Sequence, residues 1–326
     1  TPSNSSAASD VYKRQILWSI RKTPRGITLK KGNNMNKKLL SLIAGAAIVA
    51  AATGCSGTAT SSVAGTSSAA GTSASEASST AAEELSGTLS MNGSTSMEKV
   101  IKAVNGAFME KNKGVTVNLN LTGSGTGIQE ASEGKCDIGN SSRKLKDEES
   151  EKLDATVVGL DGIALVVNPA NKLEDITLED LAKVYSGEIT NWKELGGDDK
   201  SIVVIGREDG SGTRDGFESI VMGDKEPKYA QELESTGSVI NAVATTDGAI
   251  GYASLANVDE TVKALKIGGI EATEENVKSG AYEVQRPFIC ATLKGSDNKL
   301  VKAYLDFILS EEGQALVLAQ GAVPVK

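Results

Sequence analysis

The sequence contains no histidine, only three cysteines and few aromatic residues (4% of 326 residues). Without an imidazole, the chain cannot carry Ser-His or Cys-His nucleophilic catalysis or a histidine-based zinc site. Cys136 and Cys290 lie in apolar segments and are predicted to be buried free thiols. A disulfide between them is the alternative if the chain works in an oxidising compartment. The sequence leaves this alternative open, because it does not give the distance between the two residues in the fold.

The first 34 residues are expected to be a non-native leader. Ser5–Gln15 resemble the translation of a transposon-type sequencing adapter, and the residues from there to Met35 read as run-on translation. We therefore leave residues 1–34 out of the fold prediction.

The next segment has the pattern of a bacterial lipoprotein signal. Lys37-Lys38 precede the apolar run Leu39–Ala52, which is too short to span a bilayer comfortably. Residues 35–54 are therefore predicted to be a signal peptide. Cys55 resembles the lipobox cysteine that carries a diacylglyceryl group, and such an anchor implies the outer face of the bacterial cytoplasmic membrane. Residues 55–85 are mainly Ser, Thr, Ala and Gly and are predicted to be a flexible tether.

The chain is also poor in basic residues once these segments are set aside. Residues 1–54 contain nine of the 34 basic residues and one of the 42 acidic residues, so 25 basic and 41 acidic side chains remain. The resulting net charge of −16 excludes nucleic acid as an expected partner, because there is no basic surface to neutralise phosphates. An anionic ligand would have to be held by short-range donors, because the net charge would repel it.

From Ser86 onward the hydrophobic pattern alternates between strand and helix periods, which is typical of an α/β fold with mostly parallel sheets. The predicted strands are Gly87–Met91, Val115–Leu121, Asp137–Asn140, Thr156–Val158, Ile163–Val167, Ile202–Ile205, Ala249–Tyr252 and Pro287–Leu293. The predicted helices begin near Met97, Gly127, Asp147, Leu178, Thr213, Val239, Lys299 and Glu311.

Four predicted strand-to-helix junctions are rich in glycine, hydroxyl side chains or both. The most informative is Arg207–Arg214, which combines an arginine, two hydroxyls and glycine-freed N–H groups within eight residues. A helix N-terminus offers unpaired N–H groups and a positive dipole end, which together suit a tetrahedral oxyanion. Each junction alone is better explained by helix capping, but the four together predict one shared anion pocket: Asn92–Ser96, Thr122–Gly127, Asn140–Arg143 and Arg207–Thr213.

These motifs resemble those of the phosphate-binding lipoproteins of bacterial phosphate ABC importers. The resemblance covers nearly all of the globular part, and its most specific stretches are Asp161–Asn171 and Arg207–Thr213. It implies a two-lobed, type II periplasmic-binding-protein-like fold, with two crossing strands as the hinge. The expected lobes are residues 86–161 with 284–326, and residues 162–283.

The same resemblance implies the ligand contacts. Phosphate would be bound by Thr95, Ser96, Ser124, Ser142, Arg207, Ser211, Gly212 and Thr213. Asp209 would hold Arg207 through a salt bridge. Arg143 would either add a second cationic contact or face the hinge, and Arg214 would lie either beside the ligand or on the solvated helix surface.

One position departs from the family pattern, because Ser142 stands where better-known members have an aspartate. That aspartate accepts the proton of hydrogen phosphate and repels sulfate, which has none to give. A receptor for sulfate, molybdate or another tetrahedral oxyanion therefore remains an alternative, as does an interaction lipoprotein without a transport role.

The expected function is capture of inorganic phosphate and delivery to the permease and ATPase subunits of an ABC importer. The protein is expected to act as a monomer, with no cofactor, no metal and no catalytic residue. A hydrolase is disfavoured because the acidic pairs resemble solvated helix faces and no base stands beside a nucleophile.

Overall fold

A computed structural model describes residues 84–326 of the chain. The predicted leader, signal peptide and lipidation site Cys55, and almost all of the predicted tether, lie outside the described residues. Within the described part, no helix combines the length and the apolar character that crossing a membrane requires.

Ten strands and nine α-helices alternate along this part of the chain. The strands are β1 (Ser86–Gly93), β2 (Gly114–Leu121), β3 (Ile138–Ser141), β4 (Leu153–Val167), β5 (Asp175–Ile176), β6 (Val203–Arg207), β7 (Gln231–Leu233), β8 (Ala249–Ser254), β9 (Lys263–Ile267) and β10 (Gln285–Leu293). The helices are α1 (Glu98–Lys111), α2 (Ser124–Ser132), α3 (Asp147–Lys152), α4 (Leu178–Ser186), α5 (Gly212–Val221), α6 (Thr236–Thr245), α7 (Glu274–Ser279), α8 (Lys299–Ile308) and α9 (Glu311–Ala319).

The strands form a mixed sheet in the order β2-β1-β3-β10-β4-β8-β6-β7, with β9 pairing to β4 and β5. In the described chain, β1–β2, β1–β3, β6–β7, β6–β8 and β5–β9 are parallel ladders. The antiparallel ladders all involve β4 or β10. Helices lie between the parallel strands along the chain, as crossover connections require. The predicted α/β, periplasmic-binding-protein-like fold class is confirmed.

Strand β4 is a single strand of 15 residues where the sequence predicts two. Its first ten residues lie along β10, and its last five, the apolar run Ile163–Val167, pair with β8 and in part with β9. The predicted gap at residues 159–162 is wrong, because these four residues pair with residues 285–288 of β10 and so continue the strand. Side chains of Ile163–Val167 are fully buried, as predicted for a strand covered on both faces.

The hydrophobic core consists of two large clusters and two smaller ones. One large cluster packs α1, α8 and α9 against β1, β3 and β10, around Leu89, Val104 and Tyr304. The other packs α4 and α5 against β4 and β8, around Tyr185 and Phe217. The predicted lobe limits, 86–161 with 284–326 and 162–283, stay a prediction.

Local signals define several helix ends. Thr177 caps α4 by accepting a hydrogen bond from the Asp180 N–H (3.1 Å), and the helix ends at Gly187, whose positive φ suits glycine. Helix α6 begins at Thr236, three residues before the first apolar position of the predicted helix, because Ser235 caps it.

Both cysteines of the described part are free. Cys290 is fully buried in the cluster around Leu89, and Cys136 is half-buried beside a different, smaller cluster. Burial raises the pKa of Cys136 to about 11 and the pKa of Cys290 to about 12. The disulfide alternative is therefore not realised in this structure.

We predict that both thiols resist alkylation in the folded protein. Only the thiolate reacts, and with a pKa of about 11 roughly one thousandth of Cys136 is thiolate at pH 8. Iodoacetamide labelling at pH 8, read per peptide by mass spectrometry, should be at least about 100-fold slower in the native than in the urea-unfolded protein. Equal rates would contradict this, and peptides blocked in the unfolded, unreduced protein would indicate a disulfide.

Candidate anion-binding site

Four helix N-termini converge on one cluster of hydroxyl side chains. A short 3-10 turn (Thr95–Met97) leads into α1, and the other three are the first turns of α2, α5 and α6. All eight predicted contact residues are buried. Because each N-terminus presents unpaired N–H groups and the positive end of a dipole, their convergence favours an anion.

The hydroxyls make direct contacts across large sequence separations. The Ser96 Oγ lies 2.7 Å from the Thr213 Oγ1 and 2.9 Å from the Thr236 Oγ1. The Thr95 Oγ1 lies 3.3 Å from the Thr236 Oγ1 and also accepts a hydrogen bond from the Thr236 N–H. The Asn92–Ser96 junction, the Arg207–Thr213 junction and the start of α6 thus meet at the Ser96 hydroxyl.

Within this cluster, Ser142 contacts two further hydroxyl side chains, those of Ser94 and Ser124. Its Oγ accepts a hydrogen bond from the Ser94 Oγ (2.8 Å) and lies 3.3 Å from the Ser124 Oγ, which in turn accepts from the Ser142 N–H (3.0 Å). A Cβ placed on Gly212 would lie 2.3 Å from the Ser124 Oγ and 2.9 Å from the Ser142 Oγ. Only glycine therefore lets the first turn of α5 approach these hydroxyls so closely.

Ser211 is the N-cap of α5, and its predicted contact with the ligand stays a prediction. Its Oγ caps α5 by accepting a hydrogen bond from the Arg214 N–H (3.3 Å). The hydroxyl proton remains available as a donor. Gly212 and Thr213 are the first two residues of the helix, and their N–H groups have no partner within it.

Arg207 is a buried cation held by neutral acceptors. It ends β6, is 2% exposed, and donates to the Leu233 carbonyl (3.0 Å), the Glu234 carbonyl (2.8 Å) and the Thr236 Oγ1 (3.3 Å). Within residues 84–326 no carboxylate forms an ion pair with it. Burial lowers the pKa of its guanidinium to about 10, so it is charged at neutral pH but poorly compensated.

The prediction that Asp209 holds Arg207 is wrong. The Asp209 side chain is 96% exposed, and its Oδ1 pairs with the Arg214 Nη1 at 3.1 Å. The reason is that Arg207 points inward toward the carbonyls of the segment before α6, whereas Asp209 lies at the tip of the loop. The backbone carbonyls of Leu233 and Glu234 take the role assigned to the carboxylate.

Arg143 and Arg214 are both engaged by carboxylates. Arg143 forms a bidentate ion pair with Glu149, in which its Nη1 and Nη2 each donate to a carboxylate oxygen at 2.7 Å. Its Nε lies 2.7 Å from the Asp215 Oδ2 on α5. Glu149 raises the pKa of Arg143, as expected for such a pairing. Arg214 pairs with Glu218 (2.8 Å) as well as with Asp209, and stacks on the Tyr229 ring.

Sequence reasoning missed three members of the cluster: Ser94, Thr236 and Arg286. Thr236 had a signal, because Ser235-Thr236-Gly237 is a fifth hydroxyl-rich helix start. Ser94 lies within the first predicted junction. Arg286 had none, since its Nη1 reaches the Ser142 Oγ (3.2 Å) only through the pairing of β10 with β4.

Comparisons with known proteins identify the family of this chain. A profile of the PBP superfamily domain matches residues 56–312. The phosphate-binding protein PstS of Bacillus subtilis (strain 168) is 36% identical over 244 residues, covering 73% of this chain and 80% of that protein. The chain belongs to the PstS family of phosphate-binding proteins.

Solved structures support the same family. A Clostridium perfringens protein, described as a phosphate ABC transporter substrate-binding protein and solved with bound phosphate, is similar with a TM-score of 0.70 and 42% identity. The similarity covers 74% of this chain and 100% of that one. An ABC-type phosphate transport receptor from Vibrio cholerae has a TM-score of 0.62 at 31% identity, covering 72% of this chain and 99% of that one.

We predict that Gly212→Ala lowers the free energy of unfolding by about 1–3 kcal/mol, because the added methyl overlaps Ser124 and Ser142. Gly106→Ala is the matched control: Gly106 lies in α1 with open space around its Cβ, so alanine should stabilise by about 0.5–1 kcal/mol. Urea unfolding measures both.

A second variant tests the cause of the overlap. Adding Ser124→Gly to Gly212→Ala removes the nearest atoms and should recover part of the lost stability. Wild-type stability in the Gly212→Ala protein would contradict the close approach of α5 to the hydroxyl cluster.

Proposed function

We propose that this protein is an extracytoplasmic receptor that captures inorganic phosphate between two lobes. The observation that carries the proposal is Arg207, a buried guanidinium without a carboxylate partner in the described chain, surrounded by hydroxyls and helix N-termini. An uncompensated buried charge is costly, and a bound anion would offset that cost.

The donor set favours a tetrahedral oxyanion of small size. Hydroxyls of Thr95, Ser96, Ser124, Ser142, Ser211 and Thr213, the N–H groups of Gly212 and Thr213, and the Arg207 fork would surround it. Many neutral donors with modest countercharge replace the ligand's hydration without trapping it. That balance suits a receptor that must release its ligand.

Closure of the two lobes on the ligand is part of the proposal. The Gly125 N–H donates to the Gly210 carbonyl (2.8 Å), and the Asn257 Nδ2 donates to the Ser96 carbonyl (2.8 Å). Both bonds, together with Arg143–Asp215, join segments from the two predicted lobes.

Delivery to an ABC permease is also part of the proposal. It is supported by the signal at residues 35–54 and by relatives described as ABC transport receptors. The permease would recognise the closed, liganded state. Cys55 would be the lipid anchor.

A second candidate function is a receptor for sulfate or another tetrahedral oxyanion. The observation in its favour is Ser142, whose hydroxyl stands among donors with no free carboxylate nearby in the described residues. A hydroxyl can accept a ligand proton but does not repel a ligand that lacks one.

Calorimetric titration with phosphate and then sulfate tests the proposal. We expect micromolar or tighter phosphate binding, and sulfate displacement would assign a general oxyanion receptor. If neither anion gives a heat of binding, the transport function is contradicted and the interaction lipoprotein is the remaining alternative.

Arg207→Lys should weaken phosphate binding at least about tenfold. A lysine keeps the positive charge, but it loses the planar guanidinium that donates hydrogen bonds to two carbonyls and to Thr236. Arg214→Lys is the matched control in the same loop. Its pairing with Glu218 survives as a charge contact, so affinity should stay within about threefold. Equal effects of the two variants on calorimetric affinity would contradict the role of Arg207.

A further inference from the structure

We infer that Arg286 is a second anion-contacting cation of this site, and that Asp161 is its counter-ion and sets the net charge that the ligand meets. The inference rests on the proposed function and names the ligand class more narrowly, as a doubly charged tetrahedral oxyanion.

The two side chains form a buried ion pair between the crossing strands. Arg286 and Asp161 lie opposite each other in the β10–β4 ladder, and their side chains are 2% and 0% exposed. The Arg286 Nε and Nη2 donate to the Asp161 Oδ2 at 3.2 and 3.0 Å. This edge-on pairing uses one side of the guanidinium only.

The other side of the guanidinium points into the hydroxyl cluster. The Arg286 Nη1 donates to the Ser142 Oγ at 3.2 Å, and that oxygen also contacts Ser94 and Ser124. An Nη1 group carries two N–H bonds, so one remains for a ligand beside Ser142. A pair that only fastened β10 to β4 would not need this contact.

Helix α5 lies next to the stem of the arginine. A Cβ on Gly216 would lie 3.4 Å from the Arg286 Cδ, so the stem of the arginine passes under the second turn of α5. Its guanidinium therefore lies close to the same helix N-terminus that brings Gly212 to Ser142.

Asp161 offers nothing to a ligand proton, because protein donors occupy both of its oxygens. Its Oδ1 accepts from the Ser254 Oγ (2.8 Å) and the Ala256 N–H (3.4 Å), and its Oδ2 accepts from Arg286. The carboxylate therefore acts on the ligand through charge alone.

With the Arg286–Asp161 pair ionised, Arg207, Arg286 and Asp161 together carry a net charge of one positive unit. Arg286 also repels Arg207: burial first, and then this repulsion, lower the pKa of Arg207. Two cations that repel each other across a cage of donors are both stabilised by an anion between them. The attraction grows with the ligand's charge, so the site should favour dianions over monoanions.

Three variants test the charge assignment by calorimetry: Asp161→Asn, Arg286→Gln and the double variant. Sulfate probes the dianion and perchlorate the tetrahedral monoanion, beside phosphate. Asp161→Asn leaves Arg286 uncompensated and should tighten sulfate binding about fivefold, with a smaller gain for perchlorate. Arg286→Gln should weaken sulfate binding about tenfold or more.

The double variant guards against misfolding, because it removes both charges and leaves no unpaired buried ion. Circular dichroism and melting without ligand establish that it folds. We expect it to bind sulfate about tenfold more weakly than the wild type, opposite in sign to Asp161→Asn.

The outcomes separate this inference from the proposed function. Suppose that the wild type binds phosphate and that the folded double variant binds sulfate and phosphate as tightly as the wild type does. Arg286 is then only structural, and the inference fails while the proposed function stands. Equal weakening by Asp161→Asn and the double variant would also make the pair structural. If the wild type binds no anion, the proposed function and the inference both fail.

Discussion

The structure depends on one constraint: the Arg207 guanidinium is buried at the end of β6, and no carboxylate of residues 84–326 pairs with it. Arg207 is held by two carbonyls and one hydroxyl, all of them neutral. An uncompensated buried cation is costly, and the proposed anion would offset that cost. The converging helix N-termini and hydroxyls are explained by the same need, because each of them also favours an anion.

The two crossing strands provide the frame for that site. Strand β4 runs from one large core cluster to the other, and β10 pairs with its first half. Because Asp161 and Arg286 pair with each other, both charged side chains can be buried between the strands, where an unpaired charge would be costly. The frame therefore also supplies charge to the site.

Much of this arrangement could be predicted from sequence, and the limits have physical causes. Local chemistry predicted helix starts near Gly127 and Thr213, close to the observed starts at Ser124 and Gly212. It also predicted the buried strand Ile163–Val167, because glycine, hydroxyl and apolar patterns act over a few residues. Asp209 was assigned to Arg207 because the two are neighbours in sequence, yet the arginine finds carbonyls some 27 residues away. Arg286 could not be found at all, since only strand register brings it to Ser142.

The most direct test of the central claim is a crystal structure of the protein grown with arsenate, with the arsenic located by its anomalous scattering. Arsenate has the shape and charge of phosphate. The account predicts a single strong peak whose oxygens lie about 2.7–3.2 Å from the Arg207 guanidinium, the Gly212 and Thr213 N–H groups and the Ser96 hydroxyl. A peak elsewhere, with Arg207 still bonded only to neutral groups, would contradict the account.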